Sequence, residues 1–279
     1  MKKLALCFML KHKLECESLW HEWLSGYAEK VSIYVHAKER IRFTTSTFRN
    51  AIQIPTMPTK WGDASLVRVT LALYARALQD PDNVQFVLLS GDCIPIKAFS
   101  YVYDTLMQTS TFSRYGRMST KDEVFHRHHQ WIVVSREHAQ LAVEREPWIH
   151  AVCEGRHASD EMWFTRFLRA EGRESEVIIG DTTFTNWKQR DLPSSPKTYF
   201  WATEDDMITI LNTSCLFARK FKSWSFRKVP HVLQMIQSQT DYKIQYSSTV
   251  SLEEACCSQP ELQSDHTVSD LQSSTPHPL

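Results

Sequence analysis

Apolar runs of strand length alternate with amphipathic stretches of helical period along most of the chain. "LALCFML" (4–10) and "VQFVLLS" (84–90) are almost wholly apolar, the pattern of central strands covered on both faces. Further strands are predicted over 32–36 ("SIYVH"), 130–135 ("QWIVVS") and 176–179. Between them, residues 65–78 put Leu66, Val69, Leu73 and Ala77 on one helical stripe, and 99–107 and 136–143 read as further helices. Strand, helix, strand at this spacing predicts an α/β fold with a mostly parallel, Rossmann-like central sheet flanked by helices. Ligands of such sheets bind beyond the carboxyl ends of the strands. That rule directs attention to His36, to Ser90, Gly91 and Asp92, and to the loop after Ser135.

The pattern fades near the end. From about residue 237 the chain is rich in Ser, Gln and Thr, poor in apolar residues, and closes on "STPHPL". A flexible tail over 237–279 is predicted, leaving 1–236 as one folded domain. Two halves, about 1–115 and about 116–236, are expected within it.

Composition narrows the class. The 279 residues carry 32 basic and 32 acidic side chains, so no global charge points to nucleic acid or an anionic membrane. Only 7 glycines argue against a glycine-rich phosphate cradle. The 7 cysteines lack C-x-x-C spacing and several lie in apolar runs, as buried free thiols of a reduced compartment would. "MKKLALCFMLKHK" imitates a signal peptide, but its apolar run is short and meets Lys11, His12 and Lys13 at once. It is read as the first buried strand, without export or membrane anchor, and a cytoplasmic protein is expected.

Four stretches carry possible chemistry. "LSGDCIPIK" (89–97) ends a strand with one acid, Asp92, where a metal site would want two at alternate positions. "DEVFHRHHQW" (122–131) offers Asp122, Glu123, His126, His128 and His129. No periodic helix carries those histidines, and a polar loop is the simpler reading than a metal centre. "HASDEMWFTRFLRA" (157–170) reads as a helix capped by Ser159, with Asp160 and Glu161 in its first turn and Trp163, Phe164, Phe167 and Leu168 as its apolar stripe. Both acids suit the helix dipole. Glu161 also borders the buried face, where desolvation would raise its pKa toward that of a general base. In "CLFARKFKSW" (215–224), Arg219, Lys220 and Lys222 stand among large apolar residues, as snorkelling cations or as walls of an anion site. Lys197, in "SSPKTY" (194–199), is a second cation for the same site.

Taken in order, "LALCFML", "LWHEWL", "SIYVHA", "WGDASLVRVTLALYARAL", "FVLLSGDCIPIKAF", "WIVVSREHAQL", "SDEMWFTRFL", "TFTNW" and "CLFARKF" resemble the core-2/I-branching glycosyltransferases, glycosyltransferase family 14. The resemblance runs from about residue 3 to 225. It implies a GT-A-like fold and an inverting β-glycosyltransferase that uses a UDP-sugar donor and a glycan acceptor, without metal or other cofactor. The family's catalytic acid falls on Glu161, the basic residue of its F-A-x-K-F motif on Lys220, and an earlier basic residue on Lys197. Ser90, Gly91, Asp92 and His36 are expected on the donor side. Trp187, which the resemblance makes a wall of the sugar site, is expected with Trp131, Asp160 and Arg117 on the acceptor side.

UDP-xylose and UDP-N-acetylglucosamine are the donors implied first, with UDP-glucuronic acid third. Readings from other classes are a metal-dependent hydrolase on His126, His128 and His129, and an inactive glycan-binding relative. The family's Golgi members carry an anchor, a stem and paired cysteines that this sequence does not display.

Overall fold

The computed structural model describes residues 1–118, 127–192 and 195–240. The strands are β1 (Lys3–Leu10), β2 (Val31–Ala37), β3 (Ile52–Gln53), β4 (Asn83–Ser90), β5 (Ile94–Pro95) and β6 (Ser113–Tyr115). They continue with β7 (Arg117–Met118), β8 (Arg127–His128), β9 (Val133–Ser135), β10 (Val177–Ile179), β11 (Thr183–Thr185) and β12 (Phe217–Arg219). Helices α1 (Glu17–Trp23), α2 (Ser46–Arg49), α3 (Ala64–Ala77), α4 (Phe99–Gln108) and α5 (Arg136–Glu144) alternate with them. Helices α6 (Glu146–Cys153), α7 (Trp163–Ala170), α8 (Glu204–Leu211) and α9 (Val232–Gln237) follow.

The main sheet has seven strands in the order β10-β6-β9-β4-β1-β2-β3. β1 pairs in parallel with β2 and β4, as the apolar runs predicted, and β2 pairs in parallel with the short β3, which carried no such run. Alternate side chains of β1 feed two cores. Leu4, Leu6, Phe8 and Leu10 join α1, α4, α8 and α9 on one face. Ala5, Cys7 and Met9 join α3, α5, α6 and α7 on the other. Period-two alternation between two apolar faces is why the run carries no polar position.

The reading differs from the structure in three places. The strand expected over 130–135 is regular only over Val133–Ser135, and it runs antiparallel to β4 and β6. The helix expected from 157 to 170 is broken. Ser159–Glu161 form a short 3-10 turn after Ala158, which has φ 55°, and α7 begins only after Met162, at φ −133°. Ser159 does not cap α7: its hydroxyl, fully buried, donates to the carbonyls of Cys153 (2.8 Å) and Arg156 (2.9 Å). The predicted tail loses Gln237 to α9, and residues 241–279 lie outside the described residues.

The described residues fall in one compact unit. Five cysteines, Cys7, Cys16, Cys93, Cys153 and Cys215, are buried free thiols. Among the described residues, no helix is long and apolar enough to cross a membrane.

Candidate active site

Parallel register puts Met9 of β1 beside both His36 and Ser90. The carboxyl ends of β2 and β4 therefore flank β1, about 10 Å apart at the usual strand spacing. Antiparallel β9 enters at this same edge, since the Leu88 N–H donates to the Ile132 carbonyl just before it.

Gly91 makes the strand end possible by its lack of a side chain. A Cβ there would stand 2.5 Å from the Lys13 carbonyl oxygen and 3.0 Å from Leu10 Cδ2. The neighbouring backbone is pinned close, with the Glu15 N–H donating to the Gly91 carbonyl at 2.8 Å.

Asp92 is fully engaged. Arg219 reaches it from β12 with Nε to Oδ1 at 3.1 Å and Nη2 to Oδ2 at 3.3 Å, and the Ser90 hydroxyl also donates to it. Burial pushes the Asp92 carboxyl up, but the Arg219 charge and the Ser90 hydrogen bond outweigh it and hold the group below its ordinary range. The Arg219 guanidinium lies 4.6 Å over the Trp131 ring, so Trp131 forms a floor beneath this ion pair.

The Arg219–Lys220 peptide is cis, and Lys220 follows directly. Its Nζ donates to the Ser195 hydroxyl at 3.0 Å, and burial, then the Arg219 charge, push its ammonium below the usual lysine range. Lys197 and Lys222 differ: they pair with Asp206 and Glu15, each at 3.0 Å. Among the described residues, Lys220 has no carboxylate within ion-pair distance. The Tyr199 N–H donates to the Lys220 carbonyl, so the strand pieces bearing Lys197 and Lys220 run side by side. Lys197 is nevertheless spent on Asp206, part of the capping box of α8, and on Gln189.

A second centre forms at the 3-10 turn. The Ala158 N–H donates to the Gly62 carbonyl at 2.7 Å, docking the turn against the start of α3, where Asp63 is the N-cap. Gly62 has φ +66°, a conformation that favours glycine. Glu161 pairs with Arg127 of β8. The carboxyl that burial pushes up is that of Asp160, to about 6, with the Glu161 charge as the second cause. Asp160 is 8 % exposed, and its Oδ1 has no hydrogen-bond partner.

The remaining predicted residues scatter. His36 is buried, and its Nε2 accepts from the Met57 N–H at 3.0 Å, so the ring pins the loop before α3. Burial depresses its pKa, in keeping with a neutral ring. Trp187 is exposed in the loop after β11. Arg117, on β7, is exposed opposite His128.

His128 is buried with both nitrogens used: Nδ1 bonds the His129 carbonyl at 2.9 Å, and Nε2 accepts from Phe164 N–H at 3.3 Å. Its pKa falls to about 4 through burial, and it serves to hold the start of α7. His129 faces Asp181 at 3.6 Å. His126, Asp122 and Glu123 lie outside the described residues. Among the described residues, no group of three or more His, Cys, Asp or Glu is placed to hold a metal. The sequence reading missed the parts played by Arg219 and Arg127. The only signal for Arg219 was its adjacency to Lys220, and for Arg127 its place among the histidines.

A cationic strand end and an acidic turn thus lie toward the carboxyl edge of a mainly parallel sheet. Residues 4–128 match the family model described as Branch, Core-2/I-Branching enzyme. Glycosyltransferase BC10 of Oryza sativa subsp. japonica is 30% identical over 208 residues, covering 64% of this chain and 51% of that protein. The first part of the chain is thus similar to the core-2/I-branching enzymes, and the chain spans about half the length of that curated relative.

Among solved structures, a glycosyltransferase involved in glycosylation of the major capsid of PBCV-1 aligns with TM-score 0.42 and 10% identity, covering 77% of this chain and 94% of that one. A 2-C-methyl-D-erythritol 4-phosphate cytidylyltransferase from Thermus thermophilus aligns with TM-score 0.37 and 14% identity, covering 65% and 90%.

Proposed function

We propose that this chain is an inverting glycosyltransferase that moves xylose or N-acetylglucosamine from its UDP donor to a hydroxyl of a glycan acceptor, without a metal. The observation that carries the reading is Lys220. It is a partly buried cation with no carboxylate partner among the described residues, beside an Asp92–Arg219 pair that is already neutralised. A desolvated ammonium without an anion is poised to gain from one, and a diphosphate supplies it.

In the proposed reaction Glu161 accepts the proton of the acceptor hydroxyl. The oxygen forms its bond to the anomeric carbon as the carbon–oxygen bond to UDP breaks on the opposite face, which inverts the centre. UDP departs with the bonding pair. Lys220 balances the charge that grows on the diphosphate, and Arg219 keeps Asp92 from repelling it. Lys197 contributes less because Asp206 already holds it. The reading is supported by the similarity to core-2/I-branching enzymes, by the resemblance that aligns Glu161 with their catalytic acid, and by the site's position at the carboxyl ends of the strands.

Thermal unfolding in the presence of UDP, UDP-xylose and UDP-N-acetylglucosamine, with excess chelator, tests it. Binding to the native state raises the midpoint with the logarithm of ligand saturation. A rise that the chelator leaves intact is expected. No rise with any uridine nucleotide would remove the reading.

A further inference from the structure

The ion pair between Arg127 and Glu161 is awkward for a base, because a carboxylate held by a guanidinium accepts a proton poorly. The groups beside it offer a way out. Asp160 Oδ1 is buried without a hydrogen-bond partner, and so is Arg127 Nε. One is an acceptor and the other a donor, and the Arg127 charge acts on Asp160 as things stand. Buried polar atoms without partners are costly, and a complementary pair of them in one place marks a contact that a second arrangement makes.

We propose that Arg127 is a positioning residue shared by two adjacent carboxyls, latched on Glu161 in the free protein and passed to Asp160 when an acceptor hydroxyl engages Glu161. The inference rests on Glu161 being the base. Charge and protons balance within the turn. The hydroxyl proton moves to Glu161, which becomes neutral, and the released guanidinium pairs with the Asp160 carboxylate. No other proton is taken up or lost.

The charged groups that face Asp160 are Glu161 on its own turn, Arg127 from β8 and Asp63 from the start of α3. The second partner exists only when Asp160 is ionised. Its carboxyl titrates at about 6, so the latch fails to transfer below that pH and turnover falls there.

A double-mutant cycle on UDP release from UDP-xylose or UDP-N-acetylglucosamine tests the latch. Asp160→Asn leaves Arg127 nowhere to go and lowers kcat by about tenfold or more, with the donor KM within about twofold. In Arg127→Gln that loss disappears, and the double variant turns over within about threefold of Arg127→Gln alone. Independent, additive losses overturn the proposal, since a merely structural Asp160 has no reason to be rescued by removing Arg127.

A readout that needs no turnover is carboxyl carbon NMR. Arg127→Gln raises the titration midpoint of Asp160, on which the Arg127 charge acts, and an unchanged Asp160 midpoint overturns the sharing. If the Asp160 midpoint rises yet no UDP-sugar is consumed, the shared latch stands and the proposed reaction falls.

Discussion

The two centres at the sheet edge treat charge in opposite ways. At the strand end, Asp92 is surrounded by donors, and its carboxyl is held below the ordinary range. At the 3-10 turn, Asp160 is buried with an orphaned oxygen and titrates at about 6. The first arrangement is fixed: Asp92 is paired with Arg219, and the surrounding backbone is close enough to forbid a Cβ at Gly91. The second is unfinished, with a donor and an acceptor left over. A fixed positive field suits a leaving diphosphate, and a pair of carboxyls with spare capacity suits proton transfer. Under the proposed reaction, the contrast divides one edge between electrostatics and proton handling.

Glu161→Gln attacks the proton-handling side and carries the largest expected effect. It keeps the shape of the turn but removes the proposed base, lowering kcat by about 10²–10⁴. Initial rates of UDP release with a glycan acceptor measure it, and near wild-type turnover removes Glu161 from the role. Lys220→Ala attacks the fixed field and lowers the same rate by about 10²–10³. Lys197→Ala is expected to cost less than Lys220→Ala in the same assay, because Lys197 is already neutralised by Asp206. Equal losses would mean that the Asp206 pair opens in the working enzyme.

Stability separates the centres by sign. The depressed Asp92 carboxyl contributes stability that is present above its unfolded value of about 3.9 and lost as pH falls below it. The raised Asp160 carboxyl does the reverse. Its ionisation destabilises the fold above about pH 6, and that penalty is relieved as pH falls through 6 toward the unfolded value. Asp160→Asn is therefore expected to raise stability at pH 7.5 by about 2 kcal/mol, an advantage that shrinks toward pH 4.5, while it lowers turnover. Asp92→Asn is expected to lower stability by about 1.5–3 kcal/mol at pH 7.5, since it leaves Arg219 facing a neutral amide. Urea unfolding of both variants at the two pH values measures this, and shifts of the same sign would erase the distinction between the centres.

The sequence showed the strong periodic elements and little of the wiring. β1, β2 and β4 were readable because long apolar runs leave few alternatives, and α3, α4 and α5 because their stripes repeat. β5, β11 and β12 are two or three residues long and carry no period to detect. The antiparallel course of β9 depends on how the chain returns after α4, which local pattern does not encode. Ser159 misled because a buried serine that serves backbone carbonyls has the same sequence signature as a helix cap. The ion pairs were hidden by distance along the chain: 127 positions separate Arg219 from Asp92, and 34 separate Arg127 from Glu161. Asp160 looked like the partner of a helix dipole, and only its burial beside Glu161 shows otherwise.

The central claim is that a protein cation does at this sheet edge what a metal would do elsewhere. The direct measurement is UDP release from UDP-xylose and UDP-N-acetylglucosamine, with a glycan acceptor panel, in excess EDTA and then with Mn²⁺ restored. The account predicts the same rate in both conditions for the wild-type protein, and a loss in Lys220→Ala that Mn²⁺ does not repair. Activity that vanishes in EDTA and returns with Mn²⁺ would contradict it.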